Sequence, residues 1–436
     1  MELVLGQQRL LEHGGSETYL LTVAAQLQRL GHEVTIFAVD VGQAADDALA
    51  RGLRVAASPV ELPASCDGVL VQDGVVSLLL ADRYPKTAQL YIAHAPGIDL
   101  QRPVQLDGVV AAVVALNEHV ATRLEGTANR YEIVRLRQPI DVQRFAPPSQ
   151  PRSKPEVAVL VSNYFDRAES EALGRVCSGA GVKLERIGGR EHGSAAPEIA
   201  MATADIVFGH GRSALEGMAM GRAVYVMHRW GRDGWVTSDS YRALEADGFA
   251  GQAYRRPLDD AQLARDLAEY RPEMGWENRR LVVQNHHALG HACELVALLR
   301  RLSASSGTAP AAPLREMARL VRLQWQTDER CVALTHEISA LRAEIVRLHR
   351  QIEEAREETA AAAAEVEFIY TTRRYRLGAL LARPLDALRA GRAQASSKAS
   401  DRNASTSAPH TAEPKRARRR DLHPVCSRMP GRHASG

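Results

Sequence analysis

A glycine loop carrying histidine, arginine, serine and glutamate lies between two apolar runs at residues 204–227, ADIVFGHGRSALEGMAMGRAVYVM. Ile206, Val207 and Phe208 read as a strand and Gly209-His210-Gly211-Arg212 as the loop after it. A helix is expected to open at Ser213 and end near Gly221, and a second strand to run from Ala223 to Met227. This places the loop and the helix N-terminus at the carboxyl end of a strand, where open α/β sheets bind ligands. A helix N-terminus favours an anion. Backbone amides from Gly209 to Ser213 and the Arg212 guanidinium suit a phosphate; Arg212 reads equally as an exposed loop arginine. Ser213 and Glu216 also have the S-x-x-E spacing of a capping box, which needs no ligand.

Two other places carry chemistry. Gly14-Gly15 stands just before a helical stretch, where glycines let a phosphate approach the backbone, although such a pair also reads as a plain turn. His94 follows the run LYIA and precedes Ala95-Pro96-Gly97. That location suits a cleft-facing histidine; the alternative is a loop histidine satisfied by backbone.

The elements that must position these residues alternate. Leu3-Val4-Leu5 is a short strand and Gln7–Gly15 a loop. A helix runs from Ser16, its expected N-cap, to Leu30, with Gly31 as C′ glycine. Residues 33–39, 68–72, 89–93, 109–116 and 131–136 read as strands, with a helix over 117–125. A Pro-rich stretch at 138–155 marks a linker, and a second series opens with a strand at 157–161, a helix at 168–180 and a strand at 183–187. Gly188-Gly189 turns and a short helix follows near 197–202. Strands alternating with helices imply parallel, doubly wound sheets.

Three passages together carry a resemblance. GGSETYLLTVAAQLQRLGHEVTIF, then VVALNEHVATRL with YEIVRLRQPIDVQRFAP, then ADIVFGHGRSALEGMAMGRAVYV occur in that order. They resemble the signatures of retaining glycosyltransferases of the GT-B fold (the family-4-like, or group 1, type) over about residues 3 to 300. The resemblance implies an α/β fold of two Rossmann-like domains facing a cleft. It implies a nucleotide-diphosphate sugar as donor substrate, with no separate cofactor and no metal. On it, Glu216 would bind the ribose hydroxyls. Gly14 and Gly15 would cradle the diphosphate or the acceptor side, and Arg212 and Ser213 would hold the diphosphate. His94 would be the catalytic cleft residue near the transferring sugar, and Arg167 would supply a phosphate contact. Two departures stand out. Phe208 occupies the place, eight residues before Glu216, where the family has a further carboxylate. No lysine follows Arg167 until Lys183.

Expected domains are 1–140 (N-terminal, acceptor), 141–155 (linker), 156–302 (C-terminal, donor nucleotide) and 303–330 (linker and helical lead-in). A coiled coil at 331–370, a basic amphipathic segment at 371–392 and a disordered basic tail at 393–436 complete the chain. Leu334, Leu341 and Leu348 repeat at d and Ile338, Ile345 and Ile352 at a; Ala355, Thr359, Ala362, Val366 and Ile369 continue the seam. Ile at a with Leu at d favours a parallel two-stranded coiled coil, hence a homodimer; the alternative is a helix folded back on its own domain. The segment TTRRYRLGALLARPLDALRAGR is similar to the ends of many bacterial surface-glycan glycosyltransferases. Its leucines and arginines suit an anionic membrane surface or a partner, and Pro384 is expected to limit its helix.

Composition bounds the rest. Hydrophobic residues make up 45% and aromatics 5%, so the cores are built from Ala, Val and Leu. Five scattered cysteines argue against a zinc site or a disulfide framework and fit a reducing compartment. The start, MELVLGQQRL, lacks a basic n-region and a long apolar core, so no secretory leader is expected. A cytoplasmic protein, peripheral on the inner face of the membrane, is the expectation. Residues 371–436 hold 15 Lys+Arg against 4 Asp+Glu, a surplus of +11 that leaves the first 370 residues at −8. KRARRR at 415–420 touches phospholipid or nucleic acid only electrostatically, and no specific nucleic-acid partner is expected. Two readings result. One is a retaining glycosyltransferase acting on a cell-surface glycan or glycolipid. The other is a catalytically degenerate GT-B-like binding or scaffold protein that dimerises through its coiled coil.

Overall fold

The computed structural model describes residues 1–94, 101–125, 131–188, 196–229, 231–257, 259–303, 310 and 312–402. Residues 1–333 form one compact unit and 334–436 another.

The first unit holds two sheets. Strands β1 (Glu2–Leu10), β2 (Glu33–Val41), β3 (Arg54–Ala56), β4 (Gly68–Val71), β5 (Gln89–Ala93), β6 (Ala112–Ala115) and β7 (Glu132–Arg135) pair in the order β3-β2-β1-β4-β5-β6-β7, all parallel. Strands β8 (Val157–Val161), β9 (Lys183–Ile187), β10 (Ile206–Gly209), β11 (Ala223–His228) and β12 (Gly231–Trp235) pair in the order β12-β11-β10-β8-β9, with only the edge strand β12 antiparallel. Both orders are doubly wound, and the chain has two Rossmann-like domains. Each sheet reverses direction once, between β1 and β4 and between β8 and β10. Ligand crevices form at such points, outside the carboxyl ends of the strands.

Helices α1 (Gly15–Arg29), α2 (Gln43–Ala50), α3 (Gly74–Arg83) and α4 (Glu118–Leu124) belong to the first sheet. Helices α5 (Arg167–Gly179), α6 (Pro197–Met201), α7 (Arg212–Ala219), α8 (Tyr241–Ala246), α9 (Asp260–Ala268) and α10 (Glu273–Asn285) belong to the second. Alternation of side chains along β1 feeds both faces: Leu3 and Leu5 enter one apolar cluster and Val4 the other. Helix α11 (Ala288–Ser303) follows the second sheet in sequence but packs on the first, placing Leu295, Leu299 and Leu302 among the residues of α1 and β1.

Several local expectations change. Strand β1 runs to Leu10, taking in the first four residues of the expected loop, because Gln7 and Gln8 are buried, the Gln7 side chain bonding Glu17 and the Gln8 N–H bonding Asp73. Ser16 lies inside α1, whose N-cap is Gly14 without any side-chain cap, and the Ser16 hydroxyl turns to Glu17 instead (3.0 Å). Gly31 is the expected positive-φ residue after the helix (φ +80°).

Helix α12 (Leu314–Thr371) is 58 residues long. Its first turns join the first domain: Leu314 and Ala318 are buried, Arg315 pairs with Asp82 and Arg322 with Asp40, each at 2.5 Å. Helix α13 (Arg373–Arg402) contains Pro384 rather than ending at it. One lost backbone bond does not terminate a helix whose other residues keep theirs. Residues 393–402 are thus helical, whereas 403–436, including KRARRR, lie outside the described residues, as do 304–309 and 311 of the linker. Among the described residues no helix is long and apolar enough to cross a membrane.

Candidate functional site

At the first reversal, polar side chains from three strand ends are wired in series. Glu17, in the first turn of α1, accepts from Gln7 Nε2 (2.6 Å). Gln7 Oε1 accepts from Gln72 Nε2 (2.8 Å), and Gln72 Oε1 pairs with His94 Nε2. A carboxylate only accepts, so it fixes the orientation of both amides. Gln72 therefore presents oxygen to His94, which must carry its proton on Nε2 and leave Nδ1 as an acceptor. Burial first, and the Arg212 charge second, push the His94 pKa down to about 3, so the imidazole is neutral. Its partner is thus a side chain, not the backbone expected of a loop histidine. Tyr19 packs edge-on against His94 (5.0 Å between ring centres), and its hydroxyl meets His291 Nε2 of α11 at 2.8 Å. Gly14 and Gly15 open α1 one turn before Tyr19, and a side chain on Gly15 would meet nothing within 4 Å.

At the second reversal, the loop after β10 is built on itself. Gly211 has φ +55°, ψ −124°, a conformation open to glycine, and its N–H donates to Phe249 O (2.7 Å). The His210 N–H donates to Ser213 Oγ (3.1 Å), whose hydroxyl lies 3.1 Å from Val161 O on β8. Ser213 is therefore inside α7, not at its N-cap, and no capping box forms. Two of the loop amides expected to face a phosphate are consumed this way, which leaves that role to the first-turn amides of α7. Gly217 lets α7 lie close on β10, since a Cβ there would sit 2.8 Å from Val207 Cγ1.

Three rings gather at the same end. Tyr164, in the loop after β8, lies over His210 (5.4 Å) and His228 (5.2 Å), and the two histidines meet edge to face at 4.7 Å. Tyr164 is 56% exposed. Burial, then the neighbouring His228, pushes His210 down to about 4. Its Nδ1 is buried and, among the described residues, has no hydrogen-bond partner. Sequence reading singled out the loop but not this cluster. The only signal was an aromatic residue or histidine just past three strands of one series.

Arg212, paired with Glu216 of its own helix, joins the domains. Arg212 is buried. It donates to Pro139 O of the linker (2.8 Å) and to Thr22 Oγ1 of α1 (2.9 Å), and its Nε lies 2.8 Å from Glu216 Oε1. It is thus no exposed loop arginine. Burial pushes the guanidinium down and the Glu216 carboxyl up, each opposed by the other's charge. An arginine keeps its proton in a protein, so the carboxylate beside it stays ionised. The first residue of α7 therefore reaches the helix after β1.

The candidates divide accordingly. His94, Arg212 and Glu216 come together around Tyr19 and Thr22, with Gly14-Gly15 at the head of the same helix. Ser213 knits the loop to β8. Arg167 begins α5 with its side chain 93% exposed and paired with Glu171 (2.8 Å). Phe208 is fully buried against Tyr225 (5.7 Å), so a carboxylate counted onto that position would enter the core. His210 is the residue that follows β10. A cavity of about 660 Å³ lies on the second domain, lined by Trp235, Tyr254, Tyr270 and neighbours, and by none of the candidates. Among the described residues no group of three or more His, Cys, Asp or Glu is arranged to hold a metal ion.

No protein-family model matches the chain, and no curated protein matches it. Among solved structures it is similar to HepE of Anabaena in complex with UDP, at 13% identity over 69% of this chain and 100% of that one, with a TM-score of 0.48. It is similar to an α-glucosyltransferase in complex with UDP and a 13-mer DNA containing a HMU base, at 10% identity over 69% and 99% of the two chains, TM-score 0.47. It is also similar to WaaG, a glycosyltransferase involved in lipopolysaccharide biosynthesis, at 12% identity over 68% and 99%, TM-score 0.42. Each similarity is one of fold.

Proposed function

We propose that the chain is a retaining glycosyltransferase that takes a sugar from a nucleotide-diphosphate donor to a glycan or glycolipid acceptor of the cell surface. The observation that carries this reading is the pair of reversal-point crevices, one lined by rings and a helix N-terminus, the other by a neutral, oriented histidine. The motif order of residues 3 to 300 supports the same reading. In it, the nucleobase stacks at Tyr164, His210 and His228, and the diphosphate lies at the first turns of α7 and α1, by Gly14 and Gly15. Arg212 supplies positive charge, and Glu216 shares its carboxylate between Arg212 and the ribose. Arg167 is left as an outer phosphate contact. The sugar–phosphate bond breaks while the acceptor oxygen bonds the same carbon on the same face, and the acceptor proton leaves with the diphosphate. Positioning and charge stabilisation carry most of such a reaction. His94 Nδ1 accepts a hydrogen bond from a sugar hydroxyl. No separate cofactor or metal is invoked. Exposed Leu377, Leu380, Leu381 and Leu385 among the arginines of α13 support contact with an anionic inner membrane face, where a glycolipid acceptor would lie.

One observation favours the scaffold reading instead: Glu216 is already paired, and Arg212 already spends donors on Pro139 and Thr22. A panel of UDP-, GDP- and ADP-sugars separates the two. Nucleoside diphosphate released from one donor, and released less efficiently by Tyr164→Ala, supports the enzyme. Neither turnover nor donor-induced stabilisation with any of them leaves the scaffold.

A further inference from the structure

Helix α12 changes character along its length. Its start is held by Leu314, Ala318 and the pairs of Arg315 and Arg322. Farther on, Leu334, Ile338, Leu341, Ile345, Leu348 and Ile352 form one stripe, each 44–56% exposed. Six large aliphatic side chains in strict four-three spacing are a seam that asks for cover.

The charges beside the stripe say what covers it. With Ile338 and Ile345 at a, the g positions are Glu337, Glu344 and Gln351, and the e positions are Arg342, His349 and Arg356. In a parallel, in-register pair each g residue faces the e residue five positions later on the other chain. The contacts are then Glu337 with Arg342, Glu344 with His349 and Gln351 with Arg356. In an antiparallel pair g faces g and e faces e, which sets glutamate against glutamate and arginine against arginine. Glu344 and Arg356 already pair within their own helix, with Arg347 and Glu353, so the Glu337–Arg342 contact is the one that decides orientation.

We infer that α12 is one strand of a parallel, in-register coiled coil whose other strand is a second copy of this chain. Isoleucine at a with leucine at d fits two strands. Cys331 takes the a position one heptad before Ile338, so the dimer brings two copies of it into one layer. The inference is independent of the catalytic reading.

Sedimentation of the full chain tests it, with Ile345→Glu and Val346→Glu as a matched pair. Both residues are exposed on the same turn, but Val346 lies at b, off the seam. The wild type and Val346→Glu are expected to be dimers, and Ile345→Glu to associate at least about a hundredfold more weakly, since it buries a charge in the seam. Circular dichroism confirms that each variant stays folded. Mild oxidation is expected to cross-link two chains through Cys331, and Cys331→Ser to abolish the cross-link. Glu337→Arg and Arg342→Glu should each weaken the dimer, and the two together restore it. A monomeric wild type, equal effects of the two glutamates, or a dimer without the Cys331 cross-link overturns the inference.

Discussion

The two crevices are made from different materials. The first, between β1 and β4, is a closed polar series in which Glu17, Gln7, Gln72 and His94 satisfy one another. The second, between β8 and β10, is a set of rings, one of them exposed, over a loop whose amides are turned inward. A satisfied network holds geometry; the exposed Tyr164 ring offers surface to a ligand. On the proposed function, the first domain would orient and the second would stack a ligand. Arg212, held by Glu216 of its own helix, donates from the second domain to Thr22 of the first.

The largest effect is expected where the comparison hinges. Glu216→Ala leaves the Arg212 charge buried without its carboxylate and should lower stability by about 3–5 kcal/mol. Chemical denaturation measures it. Arg212→Met with Glu216→Leu removes both charges and should recover most of the loss. A single variant as stable as wild type would mean that Glu216 does not hold the Arg212 charge in its buried place.

Acid comes next. His94 and His291 are held near 3, and His210 and His286 near 4, each mainly by burial, against an ordinary value of 6.5. Below pH 6.5 the unfolded chain takes up protons that the folded one refuses. Stability is then complete above about pH 6.5 and falls as pH drops toward 4, by about 1 kcal/mol per histidine per unit. Urea midpoints at pH 7 and 5.5 check the sign. His291→Phe should flatten the slope; an unchanged slope would mean that this histidine is not held neutral in the fold.

Much of this architecture was legible in the chain, and the reasons it was legible also mark where reading stopped. Alternating apolar strands and helices, Gly31 and the Pro-rich linker act locally, so they spell out two doubly wound sheets. The site depends on residues far apart. Gln7 and Gln8 look like loop residues because nothing nearby says that Gln72 and Glu17 will satisfy the Gln7 side chain or that Asp73 will accept from the Gln8 N–H. Tyr19 and Thr22 look like ordinary positions of an amphipathic helix until His94, His291 and Arg212 arrive from elsewhere. Counting eight residues back from Glu216 lands on Phe208, which the fold buries inside β10. Ser213 shows the same limit: its S-x-x-E pattern is real, but Gly211 starts the helix earlier.

Two smaller effects sharpen the contrast between the crevices. Tyr164→Ala should weaken nucleoside diphosphate binding about tenfold, the scale of one stacked base, while leaving the melting temperature nearly unchanged. Glu17→Gln should change stability by less than about 1 kcal/mol. It frees both amides to flip, however, so nitrogen NMR of His94 should show proton density appearing on Nδ1. An imidazole that keeps its Nε2 proton would show that something other than Glu17 sets the polarity.

The most direct test is calorimetric titration of the full chain with UDP, GDP and ADP, repeated on Tyr164→Ala. Saturable binding of one nucleotide, weakened by the substitution, is the expected result. Absence of binding by all three, or binding indifferent to Tyr164, would contradict the assignment of the second crevice to a nucleotide donor.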